Sequence, residues 1–200
     1  MKILIIAFFI SALALTAADK SKTWTDPALA LKEDTDFSIQ GEYHREGAGL
    51  GAQIVALGDG KFDLYILEGG LPGLGWKKKD SRIKISGNLE KGIVTFTKSK
   101  ETWALLKDKT LTIQQVGKTT IKLPRVARQS PTLGAEAPKG ATILFDGTSV
   151  EHWQNGKMKD GLLQATGTTS KPTFKNYKLH LEFRTPYKPF ARGQGRGNSG

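Results

Sequence analysis

The residues best able to do chemistry fall in Tyr177–Arg184, which reads Tyr-Lys-Leu-His-Leu-Glu-Phe-Arg. Successive strand side chains point to opposite faces, so Tyr177, Leu179, Leu181 and Phe183 share one face and Lys178, His180, Glu182 and Arg184 the other. The apolar row is suited to a core. The polar row sets an imidazole beside a carboxylate, flanked by cations that keep the carboxylate ionised. On a concave sheet face such a row can bind a sugar and move a proton; on a convex face it is a solvated, ion-paired strand. His180 and Glu182 could also offer two metal ligands, but no third partner is spaced to complete a site. None of His44, His152 and His180 adjoins a recognisable nucleophile, so no Ser-His-Asp set can be assembled. The run Gly69–Trp76 lacks the Lys-Ser/Thr and the following helix of a phosphate loop. It reads as an ordered loop around Trp76, followed by a solvated Lys77-Lys78-Lys79. No cofactor motif is present.

The elements that must carry these residues read as strands. Asp36–Tyr43 alternates apolar and polar. Residues 52–57 and 61–67 flank Gly58-Asp59-Gly60, a hairpin pattern. Residues 82–86, 92–97, 110–114 and 119–123 repeat the period of two, the last pair separated by Val116-Gly117-Lys118. Only Asp26–Glu33 reads as helix. This spacing predicts an all-β fold, with an antiparallel sandwich or barrel-like unit over residues 23–126. Between 127 and 140 two prolines, two glycines and no periodicity predict a linker. Strand-like text resumes at 141–145 and continues through 161–165, 172–174 and 177–185. Residues 141–200 are too few to close a sandwich, so the chain is expected to break off inside a second domain.

Composition bounds the chemistry. The 200 residues include no cysteine, which excludes thiolate nucleophiles, disulfides and cysteine redox chemistry. Thirty Lys and Arg against 19 Asp and Glu give a formal charge of +11, which favours acidic glycans and envelope polymers over neutral partners. For an exported chain these rank above nucleic acid. Export is expected because Met1-Lys2 precedes an apolar run from Ile3 to Leu15, and Thr16-Ala17-Ala18 then offers small residues for cleavage at about residue 18. The apolar run is shorter than the roughly 20 residues of a bilayer-spanning helix, and no later segment is long and apolar enough to span.

Four phrases in order resemble a known family. Ile143–Trp153 contains Leu-Phe-Asp-Gly followed by Trp, Lys159–Leu163 contains Asp-Gly-Leu, Tyr177–Arg184 alternates leucines and ends in Glu-Phe-Arg, and Gly197-Asn198-Ser199-Gly200 closes the run. Together they resemble the opening of the 3-keto-disaccharide hydrolases, and the likeness covers about 60 residues. It implies a concanavalin A-like jelly roll, a carbohydrate substrate, and a cleft beside the strand of Glu182. Glu182 and His180 are then the candidate catalytic groups, with Arg184, Asn198 and Ser199 binding substrate. The expected function is an exported glycan-processing hydrolase acting on 3-keto-disaccharides or oligosaccharides; the alternative is a non-catalytic carbohydrate- or envelope-binding protein. A second catalytic carboxyl is expected past residue 200, leaving this stretch alone inactive. The first region, with Phe37 to Tyr43 and Gly69 to Trp76, resembles a domain often found ahead of this one in exported bacterial proteins.

Overall fold

The computed structural model describes residues 22–114 and 120–196. The expected signal peptide, the Val116–Lys118 turn, Asn198 and Ser199 lie outside the described residues. The chain divides into two compact units, one of residues up to Ala127 together with those from Arg184 onward, the other Arg128–Phe183.

The first unit opens with α1 (Pro27–Glu33), capped by Asp26, whose side chain accepts from Ala28 N. Proline at the first helical position fits because its missing N–H would have no partner there. Residues 35–39, expected to begin a strand, instead form α2 (Thr35–Ile39), because Asp34 caps them by accepting from Asp36 N. A local side-chain cap outweighs the period-two pattern here. Strand follows at β1 (Gly41–His44), β2 (Leu50–Gly58) and β3 (Lys61–Glu68). Two short pieces, β4 (Leu71–Pro72) and β5 (Gly75–Trp76), pair with each other within the glycine-rich loop. Then come β6 (Arg82–Glu90), β7 (Ile93–Lys98), β8 (Glu101–Lys107), β9 (Thr110–Ile113) and β10 (Ile121–Val126).

Eight of these strands close into an antiparallel barrel in the order β1-β10-β9-β8-β7-β6-β3-β2. Closure gives every one of these strands a neighbour on both sides, which settles the sandwich-or-barrel alternative. The inward residues fill the interior: Tyr43, Ile54, Phe62, Leu64, Phe96, Leu111, Ile113 and Leu123 are all essentially inaccessible. Gly87 makes room for this, since a Cβ there would overlap the Phe96 ring. The hairpin at Gly58-Asp59-Gly60 forms as expected, all three residues having positive φ. Strand β8 escaped the sequence reading because Trp103-Ala104-Leu105-Leu106 is apolar on both faces and hides the alternation.

Residues 184–196 return to this barrel as a strap. Trp24 and Tyr187 exchange two backbone hydrogen bonds, of 3.0 and 2.8 Å. The Tyr187 ring lies 5.3 Å from Trp24 and 4.9 Å from Phe37, centre to centre, and its hydroxyl donates to Asp34 Oδ2 at 3.0 Å. Phe190 sits on Gly58, where a Cβ would overlap its ring. Pairing between β1 and β2 stops at Gly41 and Ile54, so the next stretch of β2 has backbone groups with no strand beside them. Side chains complete that edge. Gln40 Oε1 accepts from Ala56 N, Arg196 donates to Ala56 O at 2.7 Å, and Arg192 donates to Leu57 O at 2.9 Å.

In the second unit the strands are two residues each: β11 (Trp153–Gln154) with β14 (Thr169–Ser170), and β12 (Met158–Lys159) with β13 (Leu162–Leu163). Residues 141–145, 172–174 and 177–185, which the sequence predicts as strands, carry none. A strand exists by its ladder, and no described segment pairs with these. No helix of the described residues is long and apolar enough to cross a membrane.

Candidate functional site

The extended backbone at 180–182 turns two alternate side chains to one side, and His180 and Glu182 meet there. His180 Nε2 stands 3.2 Å from Glu182 Oε1. The same oxygen accepts the backbone N–H of Gly134, at the end of a turn in which Leu133 N donates to Ser130 O. Gly134 reaches this position with φ 72°, which glycine adopts without cost. The Gly134 N–H, and after it His180, stabilise the charged form, so the Glu182 carboxyl is held below its ordinary range. With the carboxylate ionised, His180 Nε2 is the donor of the pair. Oε1 carries both bonds; among the described residues Oε2 has no partner and is the atom able to take a proton. Both side chains are open to solvent, 53% for His180 and 40% for Glu182.

Of the other expected site residues, Asn198 and Ser199 lie outside the described residues. Arg184 belongs to the first unit, where it donates to Thr25 O at 3.3 Å. The expected burial of the opposite row is corrected: Tyr177, Leu179, Leu181 and Phe183 are between 62% and 79% exposed. Their alternation is as the sequence wrote it, but no described strand or layer covers them. Only Tyr177 has an aromatic neighbour, Phe174 at 6.2 Å. No group of three His, Asp or Glu able to hold a metal occurs among the described residues. Asp146 closes a turn on Thr148, which donates to it from both N and Oγ1, and Trp153 Nε1 donates to Leu144 O. Comparison with known proteins found no matching family model, no matching curated protein and no matching solved structure.

A second constellation, missed in the sequence, lies on the outside of the barrel. Strand register places Glu42 opposite Gln53, Gln53 opposite Tyr65, and Tyr65 opposite Lys84, one rung across β1, β2, β3 and β6. Gln53 Nε2 donates to Glu42 Oε1 at 3.1 Å. Arg82 stacks over the Tyr65 ring at 4.1 Å, and Lys84 lies 5.8 Å from its centre. Lys84 also pairs with the nearly buried Asp63 at 2.8 Å, which raises the lysine's pKa. Between this face and the strap runs an open groove of about 330 Å³, lined by Glu42, Gln53, Val55, Tyr187, Lys188 and Arg196 among others. In the sequence Glu42 and Gln53 are unremarked outward residues, and Lys188 and Arg196 sit 130 residues or more away from them, in text that reads as loop.

Proposed function

We propose that the protein is an exported glycan-processing hydrolase in which Glu182 acts as a general base, oriented by His180, on a 3-keto-disaccharide or related oligosaccharide. The observation that carries this reading is the His180–Glu182 pair, at 3.2 Å with Oε2 left open. The pKa direction narrows the role. A carboxyl held below its ordinary range is ionised at neutral pH, the form a general base requires and a general acid lacks. Proton abstraction beside a keto group needs one such base and an electrophile, and a keto sugar makes the carbon-bound proton acidic. The resemblance in Ile143–Trp153, Lys159–Leu163, Tyr177–Arg184 and Gly197–Gly200 supports the substrate class, the jelly-roll fold of the second unit, and substrate binding by Arg184, Asn198 and Ser199. The apolar row Tyr177, Leu179, Leu181 and Phe183 has the alternation of a sandwich strand, which is consistent with that fold.

A non-catalytic carbohydrate- or envelope-binding role is favoured by a different observation. Glu182 Oε1 is engaged by the Gly134 N–H, so the carboxylate also braces a turn within the second unit. Glu182→Gln in the whole natural protein separates the two. It preserves size and the acceptor for Gly134 while removing the base. Turnover of a 3-keto-disaccharide is expected to fall about 10²–10⁴-fold with substrate binding retained. Unchanged turnover removes Glu182 from the mechanism.

A further inference from the structure

The groove between barrel and strap carries an electrostatic imbalance that nothing else in the fold explains. Arg196 is half-buried, and its guanidinium donates only to backbone carbonyls, those of Pro189, Ala191 and Ala56. Among the described residues it makes no salt bridge. Two of its five N–H donors, Nε and one on Nη2, have no partner among the described residues. Burial, and after it the neighbouring Arg192, press its pKa down, while Tyr187, Asp63 and Tyr65 favour its charge and do not make up the loss. Asp63 is itself neutralised by Lys84. Lys188, on the same rim, has no side-chain partner among the described residues. A cation out of water without a counter-ion is costly, and an arriving anionic group would relieve that cost.

The opposite part of the groove has a different character. Glu42 and Gln53 form its floor, tied to each other at 3.1 Å, with Gln53 Oε1 left as an acceptor. Hydroxyl groups, which both donate and accept, satisfy a carboxylate and an amide together. Between Gln53 and Ala56 along β2 lies Val55, which also lines the groove and offers apolar surface to the C–H face of a ring. Arg196 reaches β2 at Ala56, three residues from Gln53, so anionic and hydroxylic ends are separated by about 10 Å along the strand.

We propose that this groove is a binding site for a short acidic saccharide, its anionic group held by Arg196 and Lys188 and its hydroxyls by Gln53 and Glu42. The ligand class is set by the requirement for charge at one end and hydroxyls at the other. The proposal does not rest on catalysis by Glu182, and its test involves no turnover.

The test is a titration of the chain at low salt with digalacturonate, read by calorimetry and by backbone amide shifts. Maltose serves as the neutral saccharide and acetate as the bare anion. Digalacturonate is expected to bind and to shift amides of β1, β2 and the strap, with maltose and acetate each at least about tenfold weaker, the scale of one lost charge-assisted contact. Added salt should weaken binding. Arg196→Gln and Gln53→Leu should each lower affinity about tenfold. Because Arg196 also ties the strap to β2, Lys188→Gln provides a rim variant whose side chain makes no structural bond, and it too should weaken binding. No binding at about 10 mM digalacturonate, beyond the millimolar range of weak specific sites, would overturn the proposal. So would equal binding of maltose or acetate, amide shifts confined to the second unit, or unchanged affinity in both Lys188→Gln and Gln53→Leu.

Discussion

Tyr187 allows the strap's contribution to be divided into two parts. Its ring is 6% exposed and packs on Trp24 and Phe37, while its hydroxyl donates to Asp34 Oδ2 at 3.0 Å. Tyr187→Phe removes only the hydrogen bond. A bond to a charged acceptor is worth about 1.5–3 kcal/mol, but Asp34 is partly exposed, so water recovers some of the loss. We expect about 1 kcal/mol from that discount. Tyr187→Ala removes the ring as well. Truncating a buried aromatic costs about 3–5 kcal/mol, and two aromatic neighbours are left facing a void. The expected sum is about 4 kcal/mol, near the low end of the combined ranges because a strap held by a few backbone bonds can shift to fill space. Urea unfolding followed by tryptophan fluorescence measures both, and Trp24 against the ring makes the signal local. A double-mutant cycle of Tyr187→Phe with Asp34→Asn should return a coupling of about 1 kcal/mol. If Tyr187→Ala lies within about 0.5 kcal/mol of the parent, the size of an ordinary surface change, the strap is not docked as described. If the cycle returns zero coupling, the hydroxyl–carboxylate bond is refuted while the ring packing stands.

The same residue takes part in an alkaline titration. Burial, and for Tyr187 also the Asp34 carboxylate, push the Tyr187 phenol up, and burial pushes Tyr43 up to about 12 against the pull of Arg125. Both favour the neutral phenol when folded, so their stabilisation is complete below the unfolded phenol range of about 10 and is lost as pH rises through about 12 for Tyr43. Absorbance of phenolate near 295 nm should show these two ionising late and together with unfolding; early ionisation of all four tyrosines would contradict the burial. Export is checked at the other end of the chain: mass spectrometry of protein recovered outside the cytoplasm should find Asp19 as the first residue, within about two positions, and intact Met1 would refute it.

Much of the first unit was legible in the sequence because period-two alternation is a local property, written wherever one strand face meets a core. Residues 52–57, 61–67, 82–86, 93–97, 110–113 and 121–123 fall in strands for that reason, and Gly58-Asp59-Gly60 marks its hairpin by the backbone angles it permits. The His180–Glu182 pairing was legible on the same ground, since residues two apart on an extended chain share a side. Alternation says which face is apolar but not what covers it. Tyr177–Phe183 has the pattern of a strand and lacks a ladder, because hydrogen-bond partners come from elsewhere in the chain. Nor does it decide closure: the same strands could stack as two sheets, and only the pairing of β1 with β10 makes the barrel. Least visible was the groove. Glu42, Gln53 and Arg196 become neighbours only when the strap returns across more than a hundred residues to complete the open edge of β2. The backbone of Ala56 and Leu57 needs hydrogen-bond partners that its own strands do not supply, and Gln40, Arg192 and Arg196 supply them. That demand for satisfied backbone groups is a property of the folded edge, and no local pattern encodes which distant side chains will meet it.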